Sequence, residues 1–165
     1  MIQFSEAQVM IRDMVREFTK NEVAPRDRWM DENGFDHDLH KKLTEAGLMA
    51  IHMPEEYGGG GGDAITSEIV INEIARGSAS VALFLDAHWL AADMILLHGS
   101  EAQKKKYVPQ CAEGKVFAFG LTESNAGSDA AVWVDLGANA CHGGHAEGDV
   151  IRNFERVIGS DFDDT

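Results

Sequence analysis

The sequence predicts a mostly α fold: a helical bundle over residues 1–114, the first strand of a truncated β-domain within 115–130, and an irregular, divergent tail over 131–165. Three observations predict it. Apolar residues recur at three- and four-residue spacing from Val9 to Tyr107. Helix-start and helix-stop residues punctuate that pattern at short intervals. At Val116 the period changes to a compact aromatic and β-branched run.

The first helix starts at Ser5, which with Gln8 makes a capping box, while Phe4 and Val9 stand where a hydrophobic staple holds the entry turn. Ile11, Met14, Val15 and Phe18 then line one apolar face of a helix that should end before Pro25. A second helix has Asp36 as N-cap, Leu39, Leu43 and Ala46 on one face, and Gly47 as its left-handed stop.

Leu48 to Met53 leads into Pro54-Glu55-Glu56-Tyr57 and five consecutive glycines, Gly58 to Gly62, which no regular element tolerates. Gly59 to Ala64 fits a loose dinucleotide fingerprint, but no βαβ unit precedes it and no Lys-Ser/Thr follows. Asp63 would also repel a phosphate, so this reading is rejected.

A third helix runs from Thr66 to Arg76 on Ile69, Val70 and Ile74, closed by Gly77. Ser78 to His98 is almost long and apolar enough to span a bilayer. Asp86, His88, Asp93 and His98 interrupt it, so a buried helix of a soluble bundle is expected rather than a membrane span. Ser100 and Gln103 form another capping box, opening a helix that Pro109 should end or kink.

Val116-Phe117-Ala118-Phe119-Gly120-Leu121 reads as the first strand. It runs into Thr122 to Asp129, a turn-forming segment of small polar residues, whose hydroxyls and free N–H groups at a strand end suit a ligand as well as a surface loop.

Composition narrows the function. With 44% apolar and 25% charged residues the chain is in the ordinary globular range. Fourteen basic against 28 acidic residues give a net charge of -14, which opposes nucleic acid but not a phosphate-bearing small molecule held locally. Two cysteines, Cys111 and Cys141, fit free thiols in a reducing compartment, and the N-terminus resembles neither a signal nor a transit peptide. A cytoplasmic location is expected.

The segment Phe119-Gly120-Leu121-Thr122-Glu123-Ser124-Asn125-Ala126-Gly127-Ser128-Asp129 closely resembles the flavin signature of the acyl-CoA dehydrogenases. Gly47-Leu48-Met49-Ala50-Ile51 leading to Pro54-Glu55-Glu56-Tyr57-Gly58-Gly59, and Gly99-Ser100-Glu101-Ala102-Gln103-Lys104, resemble the helical-domain landmarks of that family in the same order. The resemblance implies an N-terminal helical domain, a middle β-domain and a C-terminal four-helix bundle. It also implies assembly as a homotetramer or dimer around FAD and an acyl-CoA substrate, with an electron-transfer flavoprotein or similar acceptor for the complete enzyme.

The resemblance assigns cofactor binding to Phe119, Gly120, Leu121, Thr122 and Ser128. The Leu121 and Thr122 positions hydrogen-bond the flavin, and Ser128 also reaches the CoA ester. Ser124 stands where the family usually has proline, which loosens the turn. The implied reaction is flavin-dependent α,β-dehydrogenation: a carboxylate base takes a proton from the carbon next to the thioester, and the flavin accepts hydride from the next carbon. The family places that base in the C-terminal bundle, so no catalytic residue is assigned here, and Glu123 is read as structural.

After Ala130 the resemblance stops, and the 165 residues are expected to be inactive alone. Cys141, His142 and His145 have ligand chemistry but lack a fourth partner, so no metal site is assigned. A sharper hypothesis is that the tail is out of frame, because shifting Asp149 to Arg156 by one base allows Tyr-Val-Ile-Leu-Asn-Gly, close to a family sequence. The alternative function is a non-enzymatic helical protein-interaction module that uses apolar faces left bare by the missing domains.

Overall fold

The computed structural model describes residues 3–118 and 120, together with the backbone of 133–135 and 140–142. The chain divides into two compact units, Met1–Ala118 and Phe119–Thr165. The first unit is helical: α1 (Glu6–Phe18), α2 (Asp27–Asn33), α3 (His37–Glu45), α4 (Ala64–Ala75), α5 (Ala79–His98) and α6 (Glu101–Ala112).

Local chemistry sets the starts. Both capping boxes form, Gln8 N–H donating to Ser5 Oγ and Gln103 N–H to Ser100 Oγ. Asp36 caps α3, its Oδ1 accepting from Asp38 and Leu39 N–H. Asp63 caps α4 through Thr66 N–H at 2.8 Å and also accepts from Gln8 Nε2, which ties the start of α4 to that of α1. The third helix therefore begins before Thr66, at Ala64. The carboxylate that argued against a phosphate loop is spent on this cap.

As expected, α1 ends before Pro25, at Phe18, whereas Pro109 does not end α6. Past α1 the chain stays helical through a π-helical turn, Thr19–Val23, and a 3-10 turn, Ala24–Arg26, before α2. Pro25 sits in the opening positions of the 3-10 turn, where a missing N–H costs nothing. Past Pro109, α6 runs on to Ala112. Proline removes one ladder donor there, while buried Val108 and Cys111 anchor the helix on either side of it.

α1 packs against α4, α4 against α5 and α5 against α6. Val15, Val23, Leu43, Leu48, Met49, Val70, Ile74, Leu85, Val108 and Cys111 are buried together in one core. Each large apolar side chain there contributes roughly 1.5–3 kcal/mol of transfer free energy. Glu73 is buried as well, and Arg16 answers its charge with two hydrogen bonds.

Among the described residues α5 is the one helix with the length and composition to cross a bilayer. In this fold it is a packed helix, with Val81, Ala82, Leu85, His88, Trp89 and Ala92 buried. Its opposite side leaves Leu83, Leu90, Met94 and Leu97 exposed.

The expected strand over Val116–Leu121 does not form where it is described: Val116, Phe117 and Ala118 are irregular backbone. Phe117 N–H is taken by a side chain instead of a neighbouring strand. The tail contains a short antiparallel pair not expected from the sequence, β1 (Trp133–Asp135) with β2 (Ala140–His142), in the register Trp133 to His142, Val134 to Cys141 and Asp135 to Ala140.

Candidate functional site

The residues that lead into the flavin-like motif leave α6 through a glycine turn. Gly114 is left-handed at φ 86°, and Gly114 N–H donates to Cys111 O while Lys115 N–H donates to Gln110 O. This pair of bonds is the Schellman closure of a helix. A Cβ on Gly114 would lie 2.6 Å from Thr44 Oγ1 of α3, so both conformation and space require glycine.

Beyond that turn, α5 receives the chain. His88 is completely buried, and its Nδ1 accepts from Phe117 N–H at 3.0 Å. Its Nε2 lies 3.0 Å from Met49 O. A backbone N–H can only donate and a carbonyl can only accept, so these two partners require the neutral imidazole with hydrogen on Nε2. Burial holds the His88 pKa below the usual histidine value, partly opposed by the hydrogen bond to Met49.

Trp89 Nε1 donates to Leu48 O at 3.2 Å and Met49 O at 3.1 Å, so adjacent residues of α5 grip one 3-10 turn, Leu48–Ala50. The left-handed Gly47 before that turn aims its carbonyls at α5. On the same side His52 Nε2 lies 2.8 Å from Asp93 Oδ1, with the His52 ring edge-on to Trp89.

Of the predicted cofactor residues, Phe119, Leu121, Thr122 and Ser128 lie outside the described residues. Gly120 is described. It is exposed, and among the described residues nothing lies within 4 Å of where its Cβ would stand. In the sequence, His88 stands out only as a polar break in an apolar helix. A histidine in the middle of a buried stretch must have partners, and that was the available signal.

Cys111, the described cysteine of the helical unit, is not an activated nucleophile. Burial pushes the Cys111 thiol up to about 12, which leaves it protonated and inert at neutral pH. No cluster of metal-ligating side chains occurs among the described residues. A cavity of about 230 Å³ lies between α2, α3 and the first turn of α5, lined mainly by Met30, Phe35, Leu39, Leu43, Val81 and Phe84, and it excludes the exit segment.

The glycine run is not an anion cradle. Gly58 N–H donates to Glu55 O, Gly59 to Pro54 O, Gly60 to Ala50 O, Gly61 to Met53 O and Gly62 to Ile51 O. All five donors are spent inside the protein. The absence of side chains lets the strap lie this close, since a Cβ on Gly59 would be 2.2 Å from Met53 O.

Residues 5–115 match the family model for the acyl-CoA dehydrogenase N-terminal domain. The chain belongs to the acyl-CoA dehydrogenase family. An acyl-CoA dehydrogenase of Bacillus subtilis (strain 168) is 43% identical over 129 residues, covering 76% of this chain and 34% of that protein. Butyryl-CoA dehydrogenase from Megasphaera elsdenii superposes with a TM-score of 0.73 at 34% identity, covering 79% of this chain and 36% of that one. An acyl-CoA dehydrogenase from Bacillus anthracis, solved in complex with FAD, gives 0.73 at 38% identity over 78% of this chain and 22% of that one. Acyl-CoA dehydrogenases thus include FAD-bound members, and this chain spans about a third of the length of the curated relatives it matches. The part-buried His88–Phe117 contact lies at the end of the acyl-CoA dehydrogenase helical unit, just before the flavin-like segment in sequence.

Proposed function

We propose that this chain supplies the helical domain and the first flavin contacts of an enzyme that dehydrogenates acyl-CoA thioesters between the α and β carbons, with FAD as cofactor. The observation that carries the reading is the family match over residues 5–115, followed at once by the flavin-like motif. Residues 1–114 are the helical domain, 115–130 the start of the β-domain and 131–165 a divergent tail.

Phe119, Gly120, Leu121 and Thr122 would hold the flavin, and Ser128 would reach both flavin and CoA ester. When bound, FAD supplies the hydride acceptor. The helical unit's own contribution is to fix the chain entering that motif. The base and most of the β-domain belong to the remainder of a complete enzyme, which would work as a cytoplasmic homo-oligomer passing electrons to an electron-transfer flavoprotein or similar acceptor.

The test is titration of the purified chain with FAD, followed by flavin fluorescence and visible circular dichroism, alongside a butyryl-CoA assay with a dye acceptor. Flavin binding without turnover is expected. Indifference to FAD would favour the second reading, a helical interaction module, for which the exposed Leu83, Leu90, Met94 and Leu97 on α5 supply an apolar stripe. Sequencing the coding DNA past the Thr122 codon tests the reading of the tail: a second frame that continues into further strands supports a shifted frame.

A further inference from the structure

We propose that the cavity between α2, α3 and the first turn of α5 is a binding site for a small, neutral aromatic molecule that carries one hydroxyl, a single ring of about the size of phenol, with His40 as the partner of that hydroxyl. The inference stands on the helical unit alone and does not depend on the flavin reading.

Size sets the first limit. The cavity measures about 230 Å³. An apolar cavity of roughly 150 Å³ lined by leucine, isoleucine and phenylalanine already admits benzene. One substituted ring therefore has room here, whereas a CoA ester or a flavin does not, which separates this site from any that would take those two molecules.

The wall sets the second. Met30, Leu39, Leu43 and Val81 line the cavity, and the last three are buried. The rest of the lining is largely aromatic. Phe35 meets Phe84 edge-on at 5.5 Å between centroids, and the His40 ring stands 5.7 Å from Phe35 and 6.1 Å from Phe84. These separations fall within the roughly 4.5–7 Å that aromatic pairs favour, so the cluster offers an incoming ring both edges and faces.

One polar atom in this lining has no partner. His40 Nε2 is buried and makes no hydrogen bond among the described residues. A shielded ring nitrogen left unpaired is costly. A hydroxyl can serve it in either tautomer, because O–H both donates and accepts. Charge at the rim then selects a neutral ligand. Asp36 is committed to the cap of α3 and to Arg26, while Asp31 is exposed at the cavity edge on a chain of net charge -14. A carboxylate or phosphate would meet repulsion there, and a neutral phenol would not.

The site also has an entrance. Gly34 follows α2 and is exposed, and among the described residues nothing lies within 4 Å of where its Cβ would stand. Phe35 beside it is half exposed. The Gly34–Phe35 side thus opens the apolar lining to solvent instead of sealing it in the core.

The test is titration of the 165-residue chain with phenol, toluene and benzoate, followed by amide and methyl chemical shifts. Phenol should give saturable shifts at Phe35, Leu39, Val81 and Phe84. It should bind about fivefold more tightly than toluene, the worth of one hydrogen bond, and at least about tenfold more tightly than benzoate. His40→Leu should bring phenol down to the toluene value. Val81→Phe, which places a ring in the cavity, should weaken phenol at least about tenfold. Should that variant fail to fold in a thermal melt, Met30→Trp fills the same space from a half-buried position. The proposal is overturned by the absence of saturable shifts at those four residues, by shifts centred elsewhere, or by phenol binding no more tightly than toluene or benzoate. It is overturned equally if the preference for phenol survives in His40→Leu, or if phenol binds a folded, filled variant as it binds wild type.

Discussion

Arg16 and Glu73 meet as a two-armed ion pair, Nε donating to Oε2 at 3.0 Å and Nη2 to Oε1 at 2.6 Å, with Arg76 lying 3.5 Å from the same carboxylate. The carboxylate is buried and the guanidinium half exposed. Hydrogen bonding to Arg16, ahead of its opposing burial, holds the Glu73 carboxyl below the usual glutamate range.

A carboxyl whose folded pKa is lowered adds stability that is present above its unfolded pKa and lost as pH falls through the folded value. Glu73→Gln should therefore lower the thermal midpoint at pH 7 by at least about 4 °C and flatten the loss of stability on acidification. Thermal melts at pH 7 and pH 3 check both, and parallel curves for wild type and variant would show that the pair carries nothing.

His88 has the opposite chemistry with the same sign. Burial lowers its folded pKa, so the unfolded chain binds the extra proton first and stability declines as pH drops below about 6.5, the unfolded histidine value. The decline levels out once the pH is below the folded pKa. Urea unfolding between pH 7.5 and 5.5 should show this slope in wild type and a shallower one in His88→Asn.

Leu85 is fully buried on α5 in the main core. Leu85→Ala should cost about 3 kcal/mol through lost transfer energy and the cavity left behind. A urea-derived loss below about 1 kcal/mol would mean that α5 is not packed as described.

Cys111 lies in the core with its thiol pushed up to about 12. Iodoacetamide at pH 8 should label it at least about a hundredfold more slowly in the folded chain than in urea. Peptide mapping distinguishes it from Cys141, and rapid native labelling of Cys111 would contradict its burial.

Gly59 and Gly120 form a matched contrast. A methyl at Gly59 would collide with the Met53 carbonyl, whereas one at Gly120 would meet nothing within 4 Å among the described residues. Gly59→Ala should destabilise by more than about 1 kcal/mol and Gly120→Ala by much less. Similar thermal midpoints for the two variants would refute the close packing of the glycine strap.

Most of the helical unit was legible because its signals are local. Ser5 with Gln8, Ser100 with Gln103, Asp36, and Gly47 each act on backbone groups within one turn, and all four do so in the structure. The misreadings share a cause in tertiary context. Pro109 suggested an end or a kink, but a helix anchored by Val108 and Cys111 runs past one missing N–H. Val116 to Ala118 have strand composition, yet strand formation needs a partner, and Phe117 N–H is bound by a histidine 29 positions earlier. The same separation hid His88 from any reading by local pattern, while the motif itself was found by resemblance rather than by physics.

The Schellman turn at Gly114 has a mechanical meaning. The last turn of α6 is closed on itself, its glycine is backed by Thr44, and the next anchored residue hangs from the middle of α5. Tension applied to the chain beyond Phe117 would be carried sideways into α3 and α5 instead of peeling α6 from its end. The helical unit therefore has a load-spreading anchorage at its C-terminal exit, and under force it should yield there in one abrupt step rather than by gradual fraying.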